Sequence, residues 1–306
     1  MEIILARPRG FCAGVKRAIS IVSKALELYS PPVYVLHEIV HNSHVIRELT
    51  AKGAVFVEQL EDIPAGSVTI FSAHGVSRAV TEQAAALGLR VIDATCPLVA
   101  QVHRRVTRLN KISCDVLVIG HKGHPEVEGT CGHADGAVHV ISSVDEVESL
   151  TVRDPARVGW VTQTTLSVDD TAAILAALRR RFPLLAEPER TDICFATTNR
   201  QRAVRQLADM TDLLLVVGSK NSSNSNRLRE VASKKGVPAY LIDEADEIDP
   251  VWLRGARRVG VTAGASAPEH LVKEVADWLR RHGAVSVTEM DGETEQIAFQ
   301  LPELRV

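Results

Sequence analysis

The 306-residue chain has no apolar run long enough to cross a bilayer or to form the core of a signal peptide. Its longest apolar stretches, such as Leu213-Leu214-Leu215-Val216-Val217, are strand-sized. A block of like charge is also missing: 35 Lys and Arg stand against 38 Asp and Glu, for a net charge of -3. No membrane and no nucleic-acid partner is therefore expected, and the location expected is cytoplasmic. Any anionic ligand would have to be met by local donors. Cysteine is scarce and odd in number (Cys12, Cys96, Cys114, Cys131, Cys194), which argues against a disulfide framework and for metal or redox chemistry. The close cysteine pairs usual in structural zinc sites are absent. So are a Walker phosphate loop and a convincing dinucleotide-binding glycine motif, which disfavours nucleotide binding. No Gly/Ser/Pro-rich linker divides the chain, which weakens a reading as separate domains with no shared site.

What is present is alternation. Strand-like apolar runs follow amphipathic helical runs throughout, which predicts an α/β fold with mainly parallel strands. The spacing repeats three times. After Cys12, Cys96 and Cys194 come helical stretches at residues 14–29, 97–111 and 201–210, then strands ending at Leu36, Gly120 and Gly218, each 24 residues past its cysteine. A second helix and strand follow in each segment. A third strand then runs into small and hydroxyl residues: Ser72-Ala73-His74-Gly75, Thr162-Gln163-Thr164-Thr165 and Thr262-Ala263-Gly264-Ala265-Ser266. Thr164 lies 68 residues after Cys96, and Thr262 lies 68 after Cys194. Repeats of this size predict three similar α/β modules rather than a solenoid, in a pseudo-three-fold arrangement. The boundaries expected are 14–96, 97–193 and 194–285 together with 1–13, leaving 286–306 as a C-terminal tail that could close over a cleft. Ligands of open parallel sheets bind beyond the carboxyl ends of strands, where these polar residues sit.

Cys12, Cys96 and Cys194 occupy one repeat slot, just ahead of a helix start, where exposed amide N–H groups favour an anionic ligand such as thiolate. Three thiolates without a fourth in that slot suit a 4Fe-4S cluster with one iron open to substrate, at the centre of the three modules. A zinc-dependent phosphatase or hydrolase is the rival enzyme reading, and a binding protein for phosphorylated metabolites the rival without catalysis. Cys114 heads a strand and reads as core. Residues 120–130 read as a shaped loop, and Cys131 lies in the loop Gly129-Thr130-Cys131-Gly132-His133, where a Cys131/His133 metal pair is a minor alternative. His41, His74 and His124 stand apart from the other histidines by slot and motif. The run Gly218-Ser219-Lys220-Asn221-Ser222-Ser223-Asn224-Ser225-Asn226 reads either as a helix cap or as a cradle for an anion.

The motifs themselves are more specific. Arg7-Pro8-Arg9-Gly10-Phe11-Cys12-Ala13-Gly14-Val15, Phe71-Ser72-Ala73-His74-Gly75-Val76-Ser77, Asp93-Ala94-Thr95-Cys96-Pro97-Leu98-Val99, His124-Pro125-Glu126-Val127-Glu128-Gly129-Thr130, Thr162-Gln163-Thr164-Thr165-Leu166-Ser167 and the Ser/Asn run together resemble the 4-hydroxy-3-methylbut-2-enyl diphosphate reductase family, in order and over nearly the whole chain. The resemblance implies an iron-sulfur oxidoreductase that ends the non-mevalonate route to isoprenoid precursors, yielding isopentenyl and dimethylallyl diphosphates. It implies that Cys12, Cys96 and Cys194 ligate the 4Fe-4S cluster, and that His41, His74, His124, Ser222, Ser223, Asn224 and Ser266 surround the diphosphate. It further implies Glu126 as proton donor, Thr164 as a positioner of the substrate hydroxyl, and ferredoxin or flavodoxin as electron source.

Overall fold

The computed structural model describes residues 1–305. Strand β1 (Glu2–Leu5) is followed by α1 (Ala13–Tyr29), β2 (Val33–Leu36), α2 (Ser43–Ala51), β3 (Ala54–Val57), β4 (Val68–Phe71), α3 (Arg78–Ala86) and β5 (Arg90–Asp93). Next come α4 (Pro97–Lys111), β6 (Asp115–Ile119), α5 (Pro125–Cys131), β7 (Val138–Ile141), α6 (Val144–Ser149), β8 (Val158–Thr162) and α7 (Val168–Arg181). The chain continues through α8 (Phe195–Ala208), β9 (Leu213–Val217), α9 (Ser223–Lys234), β10 (Ala239–Ile242), β11 (Arg258–Ala263), α10 (Glu269–Arg281) and β12 (Ser286–Glu289). The fold is α/β, with three sheets in which every strand pair is parallel.

The strands make the repeat visible. Each sheet carries three strands in the order second, first, third: β3-β2-β4, β7-β6-β8 and β10-β9-β11. The first sheet adds β5 beside β4, and the third adds β1 and then β12 beside β11. Two compact units hold these sheets. One comprises residues 1–16, 41–47 and 195–298, with the five-stranded sheet; the other comprises residues 17–40, 48–194 and 299–306, with the remaining two.

Parallel sheets covered on both faces bury every strand residue, and β6, β8 and β9 do so from end to end. In the first unit Leu213, Leu215 and Val217 of β9 face α10 through Leu271, Val272, Val275 and Leu279. Leu214 and Val216 face the other way, onto Val204 and Leu207 of α8 and Leu228 and Val231 of α9. At about 1.5–3 kcal/mol for each large apolar side chain removed from water, β9 alone anchors that unit. In the second unit Leu117 and Ile119 of β6 pack with Ile174, Leu178 and Phe182, while Val116 and Val118 pack with Val102, Val106 and Leu109 of α4.

Helix starts follow local chemistry. Ser77, Ser143, Ser167 and Ser222 cap α3, α6, α7 and α9, each accepting an N–H three residues on. Helix α7 also carries Asp169 and Asp170 in its first turn and Arg179, Arg180 and Arg181 in its last, which suits the helix dipole. Two elements differ from the sequence reading. Residues 125–131 form a short helix because Pro125 occupies its first position and His124 caps it, so Cys131 ends a helix. Ser286–Glu289, grouped with the tail, form the edge strand β12 beside β1. Among the described residues no helix is long and apolar enough to cross a membrane.

Candidate active site

The three repeat-slot cysteines sit where their sequence positions suggest. Each is the residue just before a helix: Cys12 before α1, Cys96 before α4 and Cys194 before α8. None of the three is in a disulfide and all are half-buried, whereas Cys114 is buried in the core with Val116 and Val118. Each is pinned through the same bond. Cys96 N–H donates to the Ala73 carbonyl at 3.0 Å, Cys194 N–H to Thr164 at 3.1 Å, and Cys12 N–H to Ala265 at 3.1 Å. Every acceptor lies two residues past the end of a third strand, β4, β8 or β11. Each cysteine is thus held just past a third strand: Cys96 past β4, Cys194 past β8 and Cys12 past β11.

In the second unit the groups around Cys96 and Cys194 form two connected sets. The His74 and His124 rings meet edge to face, with centroids 5.9 Å apart. Ser72 Oγ lies 3.2 Å from His74 Nδ1. His124 Nδ1 accepts the Glu126 N–H at 3.1 Å, which leaves the proton of the neutral ring on Nε2 as a donor. Glu126, only 3% exposed, grips Thr164 twice: Oε1 accepts its N–H at 2.6 Å and Oε2 its hydroxyl at 3.1 Å. The carbonyl of that same Thr164 holds Cys194. Asp192, two residues before Cys194, accepts the Thr162 N–H at 3.1 Å. Its burial pushes the carboxyl above the usual range, against the opposing pull of Arg105 and that N–H.

In the first unit Ser222, Asn224 and Ser266 are buried. Ser222 Oγ accepts the Ser225 N–H at 3.3 Å and lies 3.0 Å from the Ser225 hydroxyl and 3.5 Å from that of Ser266. Ser266 donates to the His41 carbonyl at 2.9 Å. Asn224 Oδ1 accepts the Ala265 N–H at 2.9 Å, so the residue whose carbonyl pins Cys12 is itself fixed by a member of the Ser/Asn run. Ser223 is the first residue of α9. The run is therefore a helix cap and a buried polar cluster at once.

Known proteins resemble this chain from end to end. The profile described as LytB protein fits residues 3–280. The chain belongs to the LytB family. Its relatives include proteins named 4-hydroxy-3-methylbut-2-enyl diphosphate reductase: one from Bordetella pertussis is 59% identical over 302 residues, covering 99% of this chain and 93% of its own length. Another, from Shewanella pealeana, is 55% identical over 309 residues and covers 100% of both chains. Among solved structures, the E-1-hydroxy-2-methyl-but-2-enyl-4-diphosphate reductase from Plasmodium falciparum superposes with a TM-score of 0.95 at 39% identity, over 98% of this chain and 95% of that one.

Two residues beside these groups are not singled out by the sequence. Asp192 and Gln163 belong here: Gln163 Oε1 accepts the His121 N–H at 3.1 Å and its amide donates to Thr165 Oγ1 at 3.0 Å, which shapes the loop after β6. Gln163 is visible within its motif, but nothing in the sequence joins it to residue 121. The donor set also suits the group that the three cysteines imply. Three soft sulfur ligands, one per helix start and none with a close cysteine neighbour in sequence, match iron-sulfur ligation better than a zinc ion.

Proposed function

We propose that the chain reduces (E)-4-hydroxy-3-methylbut-2-enyl diphosphate, taking up two electrons and two protons and releasing water with isopentenyl or dimethylallyl diphosphate. The observation that carries this reading is Thr164: its N–H and hydroxyl bind the Glu126 carboxylate while its carbonyl binds the Cys194 N–H. One residue thereby joins an acid suited to protonate a leaving hydroxyl to a soft ligand suited to iron. In this reading Cys12, Cys96 and Cys194 hold a 4Fe-4S cluster, each ligand standing just ahead of a helix start. When bound, the cluster supplies the electrons and an open iron as Lewis acid, the combination a redox-inert zinc lacks. A small carrier of the ferredoxin or flavodoxin type recharges it.

The protein's own groups do the rest. His74, His124 through Nε2, His41, Ser222, Ser223, Asn224 and Ser266 supply neutral and charge-assisted donors for the diphosphate oxygens. Thr164, oriented by Glu126, sets the substrate hydroxyl. Glu126 delivers the proton that lets this hydroxyl depart as water; its burial excludes competing solvent protons.

Anaerobically purified protein should be brown, contain several iron and sulfide atoms per chain, and convert the substrate when given a strong one-electron donor. Glu126→Gln should keep the colour and bind substrate yet lose at least ~100-fold in turnover, the scale usual for loss of a general acid. Glu128→Gln, two positions on, is the control. Colourless protein with stoichiometric zinc would overturn the cofactor reading, and near-normal turnover by cluster-replete Glu126→Gln would remove that residue from proton delivery.

A further inference from the structure

We propose that Arg200 and Arg17 are positioning residues for the backbone ahead of Cys12 and Cys96, and that the C-terminal segment sets both arginines. In the first unit Arg200 is the largest fully buried side chain, 1% exposed. A guanidinium has five N–H donors, and here each has an acceptor. Nε and Nη2 donate to the Gly10 carbonyl at 3.1 and 2.7 Å, and Nη1 to the Ala196 carbonyl at 3.0 Å. The remaining donors meet the Glu295 carboxylate at 3.0 to 3.2 Å. Asn199 adds a bond to the same carboxylate at 3.2 Å.

Gly10 is held from its other side as well. Its N–H donates to the Ala263 carbonyl at 3.1 Å, and its φ of +66° is open chiefly to glycine. Only Phe11 separates it from Cys12, whose own N–H is fixed by Ala265. Arg200 therefore closes the last free side of the loop that presents Cys12. Without Glu295 the guanidinium would be a buried charge with no counter-charge, and would move toward water and release the Gly10 carbonyl.

The second unit repeats the device. Arg17 Nη1 donates to the Ala94 and Thr95 carbonyls at 3.2 and 3.0 Å, the two residues before Cys96, and Arg17 Nε donates to the Gln300 carbonyl at 2.9 Å. Ala94 N–H is tied to Phe71, as Gly10 N–H is tied to Ala263. The residue two before Cys194 is Asp192, which accepts the Thr162 N–H at 3.1 Å. Each arginine thus rises from a helix that follows one repeat-slot cysteine and attends the residue two before the next. The C-terminal segment feeds Arg200 and Arg17, whereas Cys194 is held by the Thr164 carbonyl and Asp192 by the Thr162 N–H.

That asymmetry gives the test. Metal-free, reduced protein is pulsed with N-ethylmaleimide, and labelling is read at each cysteine by mass spectrometry, for the full chain and for a chain ending at Asp291. Cys12 and Cys96 should label at least ~10-fold faster in the shortened chain while Cys194 keeps its rate, the pattern of local rather than global opening. Glu295→Gln, which preserves size and cannot simply unfold the chain by truncation, should accelerate Cys12 alone, and Arg17→Lys Cys96 alone. Equal acceleration at all three cysteines, or none at Cys12 and Cys96, overturns the proposal. The inference rests on the ligand reading only for its purpose. Failure of that reading appears elsewhere, as a full-length chain that takes up no iron and sulfide.

Discussion

At the scale of single residues, His103 shows what burial without a partner does to a titratable ring. It is 6% exposed on α4, its Nε2 has no hydrogen-bond partner, and it stacks on His133 with centroids 4.1 Å apart. Gly75, beside His74, is the reason it fits: a Cβ there would lie 2.6 Å from His103 Cε1, and its φ is +76°. Burial, followed by the His133 and Arg104 charges, pushes the His103 pKa down to about 3. The folded ring then stays neutral while the unfolded one gains a proton below about pH 6.5. Protons therefore favour unfolding across that window, so stability should fall as pH drops below about 6.5, by at most ~1.4 kcal/mol per pH unit from this group. Urea midpoints taken between about pH 5 and 7.5 should show a shallower slope for His103→Asn than for the parent. Equal slopes would mean that the ring takes its proton in the fold. The cysteines, by contrast, are legible in the sequence alone, because a repeat slot marks them. His103, Arg200 and Arg17 are not, since their partners are a glycine, a stacked ring and backbone carbonyls, none of which leaves a pattern in sequence.

Whole elements were legible where they are long or fully apolar. Strand β9 stands out as a continuous apolar run, β6 and β8 as four-residue runs from Val116 and Val158, and α4 begins at Pro97 and ends at Lys111, as its proline and periodicity require. Short edge strands do not stand out: Arg90-Val91-Ile92-Asp93 and Ser286-Val287-Thr288-Glu289 are four residues each, with charged or polar ends. Helix α8 starts at Phe195, six residues before its sequence pattern suggests, because burial of Ala196, Thr197 and Arg200 outweighs the weak helix preference of Thr197, Thr198 and Asn199. Helix starts also separate structural serines from functional ones. Ser77 and Ser222 both cap helices through their hydroxyls, at 3.2 and 3.3 Å. Replacing either by Ala should cost about 1 kcal/mol in urea unfolding, the usual worth of a serine cap. Only Ser222→Ala should also weaken pyrophosphate binding measured by calorimetry. Equal binding by the two variants would reduce Ser222 to a cap.

At the scale of the molecule, the sequence period predicted three α/β modules with parallel strands, and the three sheets with their shared strand order bear this out. What the period could not reveal is where β1 belongs in the register. It lies inside the third sheet, with Glu2 opposite both Arg258 of β11 and Ser286 of β12. Ile3, fully buried in the fold, has no sheet to enter until those residues exist. On a ribosome, then, β1 is made long before the strands it pairs with, and the loop after it must wait for Ala263 and Ala265 before Gly10 and Cys12 can be pinned. Pulse-labelling hydrogen exchange during refolding should find the Ile3 and Ile4 amides protected after those of β6 and β8, whose partners lie close by in sequence. Earlier protection of β1 would require partners other than β11 and β12. Nascent chains halted before β11 should accordingly carry Cys12 as an exposed, mobile thiol, so that delivery of iron and sulfide for the proposed cluster would be a task for the complete fold and not for the growing chain.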